Sequence, residues 1–282
     1  MTTGKDSATD PAAALLDQHI PGQSVMTKLA EVLEQQAPRT KLGRFFGADP
    51  LGSISRPWYE GAMGETEVGK LLSRLGPEWT VLHAVPVGTG KSDIDHVVIG
   101  ARGVFTINTK NHADKSIWVG GRTLMVSGQR TDHLRNSVHE AARAGKSLSA
   151  AVGFPVPVTG LIVVVGAKKV HIKETPAGVT VLTAPRLLRW LGKRPTTLSD
   201  DAVAQIVTAA KLPETWHRAP RYAGNPAEIQ DRFNQVHQGV QAARCRKRSW
   251  GFAGLAAILV AGLTAITTGP TILETITQAL MP

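Results

Sequence analysis

Two spacings of apolar residues alternate along residues 60–195, one of helical period and one of strand period. In GAMGETEVGKLLSRLG (61–76), Val68, Leu71, Leu72 and Leu75 recur on one helical face, and Gly76-Pro77 ends the run. WTVLHAVPV (79–87) predicts a strand. DIDHVVIG (93–100) and GVFTINTK (103–110) predict a hairpin turning at Ala101-Arg102, and IWVGGRTLMV (117–126) a second hairpin around Gly120-Gly121. HLRNSVHEAARAGKSLSAAVG (133–153) predicts a helix, and VTGLIVVVGA (158–167) a strand that is apolar on both faces. VTVLT (179–183) predicts a further strand, and PRLLRWLGK a short helix. The order helix–strand–strand–strand–helix–strand implies an α/β fold, an αβββαβ sandwich whose mixed central sheet is mostly buried.

The flanks read differently. Residues 1–56 form an N-terminal arm, partly disordered, with one amphipathic helix from about Val25 to Gln36 that docks on the main domain at 57–195. Residues 196–249 are a helical linker, amphipathic from about Pro226 to Ser249. Residues 250–273 are predominantly apolar, with WGFAGLAAILVAGLTAITTG giving about 20 residues, roughly enough to cross a bilayer. Arg244, Arg246, Lys247 and Arg248 precede this stretch and no Lys or Arg follows it. By the positive-inside rule the expectation is one transmembrane helix, with the large N-terminal part in the cytoplasm of a bacterial cell and the chain held at its inner membrane. The competing reading is a buried, Ala/Gly-rich core helix.

Composition narrows the partners. The chain has 32 basic and 22 acidic residues, a net charge of +10, and residues 58–195 hold 18 and 10 of them, an excess of 8. A basic balance favours polyanions, nucleic acid or an anionic membrane. The single cysteine, Cys245, excludes an intrachain disulfide and a Cys-based zinc cluster. The N-terminus lacks a basic patch followed by an apolar core, so no signal peptide is expected. GTGKS (88–92) imitates the end of a phosphate-binding loop, but the glycine required six positions before the lysine is Val85 and no helix follows. Lys91 is better read as a cation at a site's rim, able to touch a nucleic-acid backbone.

The first hairpin carries the chemistry. Taken as symmetric about Ala101-Arg102, it sets Asp95 opposite Asn108 and Asp93 opposite Lys110, and the period of two turns all four to one face. Directly opposed Cβ atoms stand about 4.5–5.5 Å apart, so Asp95 and Asn108 could share one Mg²⁺ through oxygen ligands. Glu65 lies on the apolar stripe of its helix with Val68 and Leu72, whereas Glu67 points away. A buried carboxylate calls for a partner, a metal or Lys110. Acid oxygens holding a divalent cation, with a lysine to stabilise charge, are the parts of a phosphodiester-cleaving site. Asp93 reads as a solvated acid at the start of its strand rather than as a ligand.

GAMGETEV, SDIDHVVIGARGVFTINTKNH and RNSVHEA, in that order, resemble the nuclease-related domain (NERD) family of the PD-(D/E)XK nuclease superfamily over roughly residues 58–185. The resemblance implies a restriction-endonuclease-like αβββαβ core and a Mg²⁺- or Mn²⁺-dependent phosphodiesterase acting on DNA before RNA. It puts the family's helix glutamate on Glu65, its IDH aspartate on Asp95 and its E-x-K lysine on Lys110. The glutamate of that last motif falls on Asn108, where this chain departs. Asparagine offers a metal a carbonyl oxygen without charge, and hard cations prefer carboxylates. Asp93, Glu65 or Glu140 could compensate, and Asn136 and Glu140 are the polar candidates on the later helix. Two functions therefore stay open: a membrane-tethered nuclease, and a non-catalytic module that binds nucleic acid or protein through a degenerate site.

Overall fold

The computed structural model describes residues 16–88, 92–217 and 224–280, with the side chains of the last helix described to Thr264 and at Ile276. Eight α-helices and nine strands are formed among the described residues. The helices are α1 (Gln23–Glu34), α2 (Lys41–Phe45), α3 (Ser55–Leu72), α4 (His133–Val152), α5 (Leu187–Gly192), α6 (Asp200–Ala210), α7 (Pro213–Trp216) and α8 (Pro226–Leu280). The strands are β1 (Trp79–Pro86), β2 (Asp93–Gly100), β3 (Gly103–Asn111), β4 (Ser116–Gly120), β5 (Thr123–Val126), β6 (Gln129–Thr131), β7 (Val158–Val165), β8 (Lys169–Ile172) and β9 (Val179–Thr183).

The central sheet runs β1-β2-β3-β7-β9. Short connections make β1, β2 and β3 antiparallel, whereas β7 and β9 return through crossovers and lie parallel to β3. The sheet is mixed, as the order of elements implied. Val68 and Leu72 of α3 cover one face together with Val98, Phe105, Ile107, Leu161 and Val163. On the other face Ala144 and Leu148 of α4 meet Val97, Ile99 and Val104, while Leu134 meets Ile162 and Val164. Burial on both faces is why these strands are apolar at nearly every position. One side chain departs from simple alternation. Strict alternation along β2 would set Ile94 on the Val98–Phe105 face, but it packs with Val97 and Ile99. The turn of the strands lies one residue away, where Ala84 takes a φ of 45° and the Ala84–Asp95 pair is missing from the ladder.

Two glycines set how closely the helices approach. A Cβ on Gly64 of α3 would stand 2.9 Å from the Cβ of Asn111, and one on Gly160 of β7 would stand 3.0 Å from the Ser137 carbonyl of α4. A second sheet, β6-β5-β4-β8, is built from the meander between β3 and α4 plus β8. It packs Ile117, Val119 and Leu124 against Leu134 and Ile162.

The N-terminal residues dock firmly: Met26 and Leu29 of α1 bury against Tyr59 and Ala62 of α3 and Phe233 and Val240 of α8. In α8 the linker helix and the apolar segment are one continuous helix, and from Gly251 to Thr264 every residue is exposed. Among the described residues no helix is long and apolar enough to cross a membrane. The transmembrane helix expected over residues 250–273 is therefore not supported. Its described side chains stop at Thr264, short of the roughly 20 apolar residues a span needs, and the remainder lies outside the described side chains.

Candidate functional site

The central sheet forks at the candidate site. β2 and β3 pair from Gly100–Gly103 down to His96–Ile107 and no further. Below that point β2 stays with β1, to the Pro86–Asp93 pair, and β3 stays with β7, to Asn111–Val165. The register matches the symmetric hairpin, but the expected pairs Asp95–Asn108 and Asp93–Lys110 fall beyond the last rung. The Asp95 carboxylate takes the place of a ladder carbonyl, and the Thr109 N–H donates to its Oδ2 at 2.5 Å. A carboxylate used this way is fixed in place by the backbone.

Helices from both faces of the sheet contribute to this fork. Glu65 of α3 is buried, at 6% exposure, and Glu67 is exposed, as their positions on the helix require. The close approach of Gly64 to β3 brings its neighbour Glu65 within electrostatic range of Asp95, Asp93 and Lys110. From the opposite face Glu140 of α4 reaches Asn108, whose Nδ2 donates to Glu140 Oε2 at 3.1 Å. Asp93 is partly buried and hydrogen-bonded to Ser24 of α1, so it is tied to the N-terminal segment rather than freely solvated. Asn136, one turn before Glu140, is exposed to solvent. Lys91 lies outside the described residues.

Four carboxylates therefore gather around one lysine, and burial dominates their electrostatics. Burial pushes the Glu65 carboxyl well above its usual range, and Asp95 and Asp93 push the same way against Lys110. Burial raises Asp95 to about 6, opposed first by Lys110. It raises Glu140 to about 8, with Asp95 adding to the rise and the Asn108 hydrogen bond opposing it. Burial also raises Asp93, against the Ser24 hydrogen bond. Acids with raised pKa values at one place in a fold are a functional signal of the kind ordinary surface acids do not give.

Several oxygens here lack partners. Glu65 Oε2, Asn108 Oδ1 and Glu140 Oε1 are buried with no hydrogen bond. Orphaned buried oxygens are costly, and carboxylate and amide oxygens are the donors a hard divalent cation takes. The donor chemistry thus fits Mg²⁺ or Mn²⁺. Among the described residues, however, no group of three or more His, Cys, Asp or Glu side chains could hold a metal ion, so any such ion would draw on the Asn108 amide.

The structure also brings four histidines together in pairs. His83 and His96 face each other across β1 and β2 with Nδ1 atoms 2.8 Å apart, and His112 stacks on His133 at 5.6 Å. Burial lowers His83 and His133 to about 4 and pushes His96 well down. The β1–β2 register, in which paired numbers add to 179, is the signal that could have found the first pair.

With this geometry in hand, residues 60–165 match the nuclease-related domain (NERD) family. An uncharacterized protein of Bacillus anthracis is 40% identical over 79 residues, which are 26% of this chain and 36% of that relative. The chain thus aligns with about a third of the length of the curated relative it matches. No solved structure matches the chain.

Proposed function

We propose, starting from the nuclease-related domain at residues 60–165, that the forked sheet is a restriction-endonuclease-like site that hydrolyses phosphodiester bonds, in DNA before RNA. One observation carries this reading: Glu65, Asp93, Asp95 and Glu140, delivered by elements on both faces of the sheet, lie within electrostatic range of Lys110, and a buried oxygen of Glu65, of Glu140 and of Asn108 is left unpartnered. Asp95, Glu65 and Asn108 would hold Mg²⁺ or Mn²⁺, with Glu140 beside them. When bound, such a cation polarises a phosphodiester oxygen and lowers the pKa of a water molecule. Lys110 supplies the positive charge that stabilises the phosphorane-like transition state or orients the attacking water. Asp95 is held for this by the Thr109 N–H, and Asn108 is held by Glu140.

The test is plasmid cleavage by the full chain with Mg²⁺ and with Mn²⁺, alongside Lys110→Ala and Asp95→Ala. Cleavage that depends on metal and vanishes in both variants supports the enzyme. Cleavage that survives both substitutions comes from a contaminant and sinks the claim.

A specific observation favours a second reading, a non-catalytic module that binds nucleic acid or a protein partner. Asn108 brings no charge where the family motif has glutamate, and among the described residues no acid and histidine group could hold a metal. DNA binding with a steep salt dependence and no turnover with either metal would decide for the module.

We also read α8 as the means of attachment to a membrane, in bacteria the cytoplasmic face of the inner membrane. Arg244, Arg246, Lys247 and Arg248 stand immediately before its exposed apolar stretch, an order that suits an anionic cytoplasmic leaflet. Carbonate extraction tests this, since release of the full chain into the soluble fraction contradicts it.

A further inference from the structure

Where α8 leaves the domain, three aromatic rings meet in the open. Phe45 and Phe46 close α2, and Trp250 stands on α8, with ring centroids 5.1 Å apart for Phe45–Phe46, 4.9 Å for Phe45–Trp250 and 5.1 Å for Phe46–Trp250. The junction is firmly built. Trp250 Nε1 donates to the Phe45 carbonyl at 3.0 Å, and Arg246 Nη1 donates to the Arg44 carbonyl at 3.1 Å. Gly47 lies so close to α8 that a Cβ there would stand 2.5 Å from the Ala243 carbonyl oxygen and the Lys247 nitrogen. Yet the side chains so carefully fixed are not buried: Leu42 is 70% exposed, Phe45 56% and Phe46 51%. Rings gathered only for stability would face the core, and these face outward.

Their surroundings are basic. Lys41 and Arg44 of α2 and Arg246, Lys247 and Arg248 of α8 are all exposed at the same junction. Apolar and aromatic tips ringed by cations match the headgroup boundary of an anionic bilayer, where aromatic rings settle and each basic side chain adds attraction. The patch is also continuous with the exposed apolar side chains that begin at Phe252 of α8. A second copy of the chain suits it poorly, because a two-fold contact would set five cations against the same five.

We propose that α2 and the Trp250 turn of α8 form a foot that seats on an anionic lipid surface, with Leu42, Phe45 and Phe46 in the headgroup layer. The foot rests on the reading of α8 as a membrane attachment, and it adds a second contact that fixes how the domain stands on the bilayer.

The test uses the full chain with Cys245→Ser and Leu42→Cys, carrying a polarity-sensitive fluorophore at position 42. The probes are vesicles of phosphatidylcholine alone and vesicles containing phosphatidylglycerol. With phosphatidylglycerol the emission should move to the blue and be quenched by lipids bearing a shallow nitroxide. Lys41→Glu with Arg44→Glu, both at exposed positions, should weaken this response on the order of 20-fold, taking roughly fivefold for each lost cation and ignoring the added negative charge. If the chain floats with the vesicles while the label stays in water, α8 holds alone and the foot is wrong, though the membrane reading survives. Failure to float at all removes both. A label that becomes shielded without lipid as protein concentration rises means that a second copy covers the patch, which overturns the proposal.

Discussion

Glutamine at position 140 should make the metal-free chain more stable in alkali and less responsive to metal. Burial lifts the Glu140 carboxyl from its usual 4.5 to about 8. Between those values the folded chain keeps a proton that the unfolded chain has released. The folded chain thus binds more protons, and its stability falls as pH rises through this window. Each pH unit of displacement corresponds to about 1.4 kcal/mol, so the full displacement would amount to about 5 kcal/mol. Glu140 keeps part of its surface in solvent, and we expect about 2 kcal/mol to be realised. Glu140→Gln removes the titration but retains an Oε1 that can accept from Asn108 Nδ2. At pH 5 the two proteins should therefore melt within about a degree of each other. At pH 8.5 the variant should melt higher by roughly 4–8 °C, at 2–4 °C per kcal/mol for a chain of this size. Saturating Mn²⁺ should reverse the order, because it stabilises the carboxylate form by about 2.7 kcal/mol at a hundredfold excess over Kd and the amide less. Melting curves across a pH series, with and without MnCl₂, read both effects. A variant no more stable than the parent at pH 8.5, or equally stabilised by Mn²⁺, refutes the assignment of Glu140 to the site.

Three further outcomes follow from the same geometry. Gly64→Ala forces a Cβ to 2.9 Å from that of Asn111; it should cost about 1–3 kcal/mol in urea unfolding and, by moving Glu65, reduce any metal-dependent cleavage. A folded Gly64→Ala protein with unchanged stability would show that α3 can slide on β3. His83, held at about 4 by burial, should make the folded chain refuse a proton that the unfolded chain takes up near 6.5. Stability should then be lost as pH falls from about 6.5 toward 4, and the parent should fall relative to His83→Gln over that window, a difference urea titrations at pH 7 and pH 5 would reveal. Lys110→Met removes the cation that opposes the rise of Glu65, Asp95 and Glu140. The carboxyl carbon resonance of Asp95 should then titrate at higher pH than in the parent, and an unmoved midpoint would place Lys110 outside the cluster.

Much of the site was legible in the chain's own spacing. The two strands flanking Ala101-Arg102 pair in the register that symmetry requires, and the helical period alone separates buried Glu65 from exposed Glu67. What spacing could not express was the fork. It arises because the end of β2 is held by β1 and the end of β3 by β7, and the β3–β7 pairing joins residues about 50 positions apart. The bond between Asn108 and Glu140 is equally remote, since it depends on how closely Gly160 lets α4 approach. β6 and β8 are not legible in the sequence because QRT has no apolar residue and KVHI, although it alternates, spans only four residues. The N-terminal helix was visible by its period, but its burial between α3 and α8 rests on Phe233 and Val240, some 200 residues later.

The bond from Thr109 to Asp95 has a consequence of its own. In an ordinary ladder an amide proton meets a carbonyl whose charge never changes, so its resonance does not follow the titration of its own acceptor. Thr109 instead donates to a carboxylate that titrates at about 6 and sits among the oxygens a ligand would engage. A single backbone amide thus becomes a resident spectroscopic reporter of the site. Its proton shift and its rate of exchange with solvent should register protonation, cation uptake or an approaching phosphate, with no substrate turnover needed to see them.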